Sequence, residues 1–219
     1  MSGTLMSGPT DSGPIALAAL DLAALLCSRV CHDLISPVGA IVNGVEVFDE
    51  DKDEETRTFA LELIKKSARQ ASARLQFCRL AFGAAGSAGA QIDTGDAENM
   101  ARGLIEDEKI KIVWNLPREL RPKNQVKLLL NMMLIAAGAI PRGGTLTVDP
   151  IEAAAGFRIL ASGLNARVTP VTVDLLAGSP AQNVDAHGIQ PFYTGLLARD
   201  CGLSVTAALE GENVVVTAR

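Results

Sequence analysis

At 219 residues, with 48 % apolar side chains and a mean hydropathy of +0.23, the chain is long enough for one large domain or two small ones around a real core. A formal charge of -5 and a pI near 5.1 exclude the basic stripe that supplies most nucleic-acid affinity. The stretch at 15–31 is broken by Asp21, Ser28 and Arg29 and falls short of the ~20 apolar residues of a membrane span, the N-terminal segment lacks the basic start expected of a signal peptide, and Cys27, Cys31, Cys78 and Cys201 show no disulfide framework, so a cytoplasmic setting is expected.

Residues 1–13 are rich in Ser, Gly, Pro and Thr and are expected to be disordered. Residues 15–48 form a predicted helix, a charged turn occupies 49–54, and a second predicted helix runs over 54–83, where Phe59, Leu63, Ile64, Ala68, Ala71, Leu75, Cys78 and Phe82 recur at helical spacing. Together they make an antiparallel hairpin domain over 14–86, each arm on the order of 45 Å long. The glycine-rich run at 83–89 is a linker.

Helices and strands then mix. Predicted are helix 95–107, strand 109–115, helix 122–139, strands 144–150 and 156–162, helices 169–177 and 188–200, and strands 203–209 and 213–218. This order makes residues 90–219 an α/β sandwich with helices on one sheet face. The fold class is therefore α+β. Gly143 and Gly144 are expected to turn the chain between helix and strand.

The first helix is apolar over more than half its circumference, with Ala23, Leu26, Cys27, Val30, Leu34, Val38, Ile41 and Val45. One partner helix covers only one stripe. A second copy of the hairpin would complete a four-helix bundle, so a homodimer is expected. The competing arrangement folds the α/β half back over the hairpin. Cys27 and Cys31, one turn apart, are expected to be small buried thiols. The run Cys27-Ser-Arg-Val-Cys31-His32 is one residue too long for a haem attachment motif and lies inside a predicted helix.

His32 shares its face with Asp21, Leu25, Ser28, Arg29, Ser36, Gly39 and Asn43, all within about 60°. That face is mostly polar or small, so His32 should point to water, with room beside it for a partner that contacts Ser28, Ser36, Gly39 and Asn43. Asp33 can accept a hydrogen bond from a ring N–H and leave the other nitrogen as nucleophile. Arg29 either meets phosphoryl oxygens or pairs with a carboxylate on its own helix. Pro37 removes the donor for the Asp33 carbonyl, so a bend or loosening is expected one turn on. His187, before Gly188 in a loop, is read as a surface residue.

The run Cys31-His-Asp-Leu-Ile-Ser-Pro-Val-Gly-Ala40 resembles the H-box of sensor histidine kinases. Asn124-Gln-Val-Lys-Leu-Leu-Leu-Asn131, with Ala139-Ile-Pro-Arg-Gly-Gly-Thr-Leu-Thr-Val148, resembles the helix and following strand of their ATP-binding domain. An H-box joined to a degraded kinase domain is similar to the histidine phosphotransferases of bacterial cell-cycle phosphorelays. The resemblance implies phosphoryl transfer through His32, with Asp33 as orienter. The donor it implies is the receiver domain of a hybrid histidine kinase, and the acceptors are response regulators of the CtrA and CpdR type, with neither nucleic acid nor membrane as partner.

Three departures from the kinase pattern argue against ATP. Ile135 stands where a kinase has an Mg²⁺-holding Asn, Ala161-Ser-Gly-Leu-Asn-Ala-Arg167 lacks the adenine-reading Asp-x-Gly-x-Gly, and Gly188-Ile-Gln-Pro-Phe-Tyr-Thr-Gly195 lacks a tight glycine cluster. No cofactor-binding or metal-binding residues are assigned, and Mg²⁺ is expected on the partner receiver. The alternatives are an active dimeric kinase and a non-catalytic dimeric scaffold.

Overall fold

A computed structural model describes residues 17–83, 90–151, 156–179 and 184–219. The expectation of disorder over 1–13 and most of the expected linker lie outside the described residues. Helix α1 (Ala19–Glu50) and helix α2 (Glu54–Ala81) form the hairpin. Its tip is closed by short-range polar contacts: Asp53 caps α2 by accepting from the Thr56 N–H at 2.9 Å. The Arg57 guanidinium donates to the Phe48 carbonyl at 2.7 Å and lies 4.0 Å over the Phe48 ring. The arms meet closely at Gly44, where a Cβ would lie 2.8 Å from Ile64 Cγ1 and 3.4 Å from the Ala60 carbonyl.

Pro37 is buried inside α1, and the helix runs on as regular α-helix to Glu50. The expected loosening one turn after His32 therefore does not break the element; packing of the buried ring offsets the lost donor.

In the second half, β1 (Gln91–Asp93), α3 (Thr94–Ile105), β2 (Ile110–Trp114), β3 (Leu120–Pro122) and α4 (Lys123–Ala139) are followed by β4 (Gly144–Ile151), β5 (Gly156–Ser162), α5 (Pro170–Ala177), α6 (Ile189–Asp200), β6 (Val205–Glu210) and β7 (Asn213–Ala218). The main sheet has the order β2-β4-β5-β7-β6, with β2 and β4 parallel and the other pairs antiparallel. Register aligns Val148 with Ile159 and Ile159 with Val216, and Leu146 with Ala161 and Ala161 with Val214, so alternate residues build one buried face. Leu128, Leu129, Met132, Met133 and Ala136 of α4 are in the same core. Gly143 (φ 91°) and Gly144 (φ 146°) turn the chain into β4; a Cβ on Gly144 would meet the Ser162 carbonyl oxygen at 2.0 Å. The short ribbon of β1 and β3 was not expected; three-residue strands carry too little alternation to register.

The two halves share buried surface at the open base of the hairpin, through the last turns of α2 and the first turns of α1. Phe77 and Ala81 of α2 are part of the main core. Leu22, Leu25 and Leu26 of α1 pack on a second cluster of Leu175, Ile189 and Phe192. The α/β half thus folds against the base of the hairpin, while the rest of α1 stays open. Ile35, Val38, Val42 and Val45 are exposed, as are Phe59, Leu61 and Leu75 on α2.

Two expectations are corrected here. Cys27 and Cys31 are exposed rather than buried, because they lie on the stripe of α1 that neither α2 nor α6 covers. And α1 is, by length and composition alone, long and apolar enough to cross a bilayer.

Candidate functional site

His32 emerges near the middle of α1, and its side chain is 62 % exposed. The helical phase expected from the sequence holds: Ser28, Ser36 and Asn43 beside it are exposed, and a Cβ at Gly39 would meet nothing within 4 Å. The next residue, Asp33, turns toward the hairpin's inner side and serves two neighbours. Its Oδ2 accepts from Arg29 Nε at 3.0 Å, and its Oδ1 lies 3.6 Å from His32 Nδ1. The first is a charge-assisted hydrogen bond; the second is an electrostatic contact longer than a hydrogen bond. Of the two roles open to Arg29, the structure places it in an ion pair with a carboxylate on its own helix.

Arg29 and Asp33 stand at the rim of a cavity of about 250 Å³ between hairpin and α/β half, floored by Phe77, Cys78, Phe82 and Leu134. Burial, and then the nearby Asp33 charge, push the Cys78 thiol up to about 11. That thiol is therefore a packing group and not a nucleophile at neutral pH.

Sequence reasoning read one residue beside His32 as a surface residue only and did not foresee its contact with that ring. The His187 ring, in the turn before α6, sits with its centroid 5.2 Å from that of His32 at an interplanar angle of 79°. It is a surface residue, as expected, but it lies against the His32 ring. Nothing in a one-dimensional pattern links two histidines on separate halves of a chain; only the docking of α6 on α1 brings them together.

In the helix that resembles a kinase nucleotide helix, Asn131 is tied into the core. Asn131 is fully buried, and its Nδ2 donates to the Ala81 carbonyl at 3.1 Å and to the Lys127 carbonyl at 2.9 Å. Gln190 Nε2 donates to the Asn131 carbonyl at 2.8 Å and contacts Thr194 Oγ1 at 3.1 Å. This network ties α2, α4 and α6 together. Ile135 is buried apolar surface. The isolated glycines pack against backbone: a Cβ on Gly163 would lie 2.3 Å from the Gly143 carbonyl oxygen, and one on Gly195 would lie 2.3 Å from that of Leu176. Among the described residues, no group of three or more His, Cys, Asp and Glu side chains is placed to hold a metal ion.

Comparison with known proteins agrees with this architecture. Residues 94–213 match the family described as histidine phosphotransferase C-terminal domain. The chain is 52 % identical over 208 residues to the protein phosphotransferase ChpT of Brucella abortus (strain 2308), covering 94 % of this chain and 98 % of that protein. It is also similar to a bacterial phosphotransferase solved at 1.7 Å, with a TM-score of 0.83 and 49 % identity, covering 94 % of this chain and 99 % of the other.

Proposed function

The chain belongs to the histidine phosphotransferase family and is a phosphotransferase of a phosphorelay, and from that premise we propose that His32 is the residue that carries the phosphoryl group. The observation that supports this reading is the exposed imidazole on the hairpin stem with one nitrogen turned toward Asp33. Asp33 favours the tautomer with the proton on Nδ1, which leaves the Nε2 lone pair for attack. A donor receiver domain presents its aspartyl phosphate. The N–P bond forms as the acyl-phosphate O–P bond breaks, and the receiver carboxylate leaves with the electron pair. The reverse exchange passes the group to an acceptor aspartate.

Such chemistry asks mainly for positioning and charge neutralisation. In this reading the Mg²⁺ comes with the receiver. The chain supplies the nucleophile, its orienter Asp33, and Arg29 to hold Asp33. Ser28, Ser36, Gly39 and Asn43 form the docking face. The donor is the receiver domain of a hybrid histidine kinase, and the acceptors are response regulators of the CtrA and CpdR type, in the cytoplasm. No nucleotide is used, a reading supported by the buried Asn131 network and by the packing roles of Gly163 and Gly195. The chain works as a homodimer, its open stripe from Ile35 to Val45 meeting a second copy to complete a four-helix bundle.

Incubation with a receiver domain carrying ³²P on its aspartate tests the proposal. Label should appear on this chain, acid-labile and base-stable, and His32→Ala should abolish it while leaving the oligomeric state unchanged. Transfer of label to His32→Ala would refute the assignment.

A further inference from the structure

An exposed histidine on a helix ordinarily samples several staggered rotamers. Against the His32 ring, however, a second imidazole from the other half of the chain is set. The backbone that carries His187 is held in place. Asp185 Oδ1 accepts from the His187 N–H at 3.0 Å and from the Gly188 N–H at 2.7 Å. The Asp185 carbonyl accepts from Ile189 N–H at 2.9 Å, which starts α6. Gly188 packs closely on α5, where a Cβ would lie 2.9 Å from Leu175 Cδ1.

The helix that carries His32 is anchored by apolar contacts nearer its start. Leu22, Leu25 and Leu26 of α1 pack against Leu175, Ile189 and Phe192. Both backbones that carry the ring pair are therefore fixed to one cluster, one to three helical turns from His32. The contact is one-sided: His32 keeps 62 % of its side-chain surface, so the rest of the ring remains open to a docking protein. Asp33 is set toward Nδ1 while His187 meets the ring as an edge-to-face pair.

We propose that His187 is a positioning residue for phosphoryl transfer: its ring, pinned by the Asp185 turn and the α1–α6 cluster, holds the His32 imidazole in the orientation that presents one nitrogen to the incoming phosphoaspartate. The inference rests on the reading that His32 is the phospho-acceptor. In it, the α/β half contributes to the reaction by fixing the nucleophile's geometry, with no nucleotide involved. His187 forms no bond to phosphorus.

Quenched-flow transfer from a ³²P-labelled receiver domain to the full-length chain separates the possibilities, with the receiver concentration varied for wild type, His187→Ala, His187→Phe and His32→Ala. His187→Ala should lower the rate at saturating receiver about ten-fold, because the ring is freed to sample unproductive rotamers, while the half-saturating receiver concentration stays within about two-fold. His187→Phe restores an aromatic edge without a ring nitrogen, and should recover the rate to within about three-fold of wild type. A His187→Ala rate within about two-fold of wild type would overturn the inference, as would a loss seen only in the half-saturating concentration. Failure of His187→Phe to restore the rate would also overturn it, since a ring nitrogen rather than the ring's shape would then be required. If His32→Ala still accepts label, the assignment of His32 fails and takes this inference with it. If His32→Ala is dead and His187→Ala is unimpaired, only the inference fails.

Discussion

Replacement of Asn131 tests whether the helix that resembles a nucleotide site has become a structural joint. Asn131→Ala removes the donor to the Ala81 carbonyl at 3.1 Å, in the last turn of α2 where no in-helix N–H remains to satisfy it. The Lys127 carbonyl is less affected, because it lies inside α4 and keeps its helical donor. Gln190 retains the Asn131 backbone carbonyl at 2.8 Å and the Thr194 hydroxyl at 3.1 Å. One orphaned buried acceptor costs ~1–3 kcal/mol and the small void adds ~1 kcal/mol, so a loss of about 2–4 kcal/mol is expected. For a chain of this size that is a fall in Tm of roughly 5–15 °C at fixed protein concentration. Asn131→Asp should be worse, by more than ~4 kcal/mol, because a carboxylate would replace the donor where two carbonyl oxygens point at it. Thermal and urea unfolding followed by circular dichroism give both values. If Asn131→Asp unfolds at the wild-type temperature, the side chain faces an open, solvated site and the joint described here is wrong.

The proposed docking face and the thiols supply further checks. Gly39→Trp places a large side chain where a Cβ meets nothing within 4 Å, so it should leave the unfolding midpoint near wild type. It should, however, raise the half-saturating receiver concentration at least about ten-fold in the transfer assay. Iodoacetamide at pH 8 should modify Cys27 and Cys31 in the free single chain, whereas Cys78 and Cys201, both pushed up to about 11 mainly by burial, should react far more slowly; mass spectrometry of the labelled peptides reads this out. Because these two thiols hold their protons more tightly folded than unfolded, stability is full below the ordinary thiol value and should fall as pH rises from about 9 toward 11. The carboxyls of Asp93, Asp107 and Asp185 are held below the usual range, Asp93 first by the Arg118 side chain and the other two first by backbone N–H groups. Their stabilisation is present above the ordinary carboxylate value near 3.8 and should be lost as pH falls below it, seen as an acid-side decline in the unfolding midpoint.

Elements defined by long periodic runs were readable from the sequence. Helices α1 and α2, the α4 core helix and the β4–β5 and β6–β7 pairs fall within a few residues of their expected bounds, because each buries one regular face. So was the orientation of His32, which follows from helical phase alone. Contacts between distant elements were not. Helical periodicity showed that α1 has more apolar surface than α2 can cover, but it could not say how that surface is divided. The first turns of α1 pack on Ile189 and Phe192, whereas Ile35 to Val45 stay open. The two arrangements weighed for this helix, cover by a second copy and cover by the chain's own α/β half, are thus compatible because they claim different lengths of it. The same division places His32 at the boundary: the last leucine held by the α/β half is Leu26, and the first strongly exposed aliphatic beyond the histidine is Ile35. At that boundary the imidazole keeps an open side while its backbone is held from below. Had α1 been covered along its whole length by either body, the imidazole would have lost one or the other.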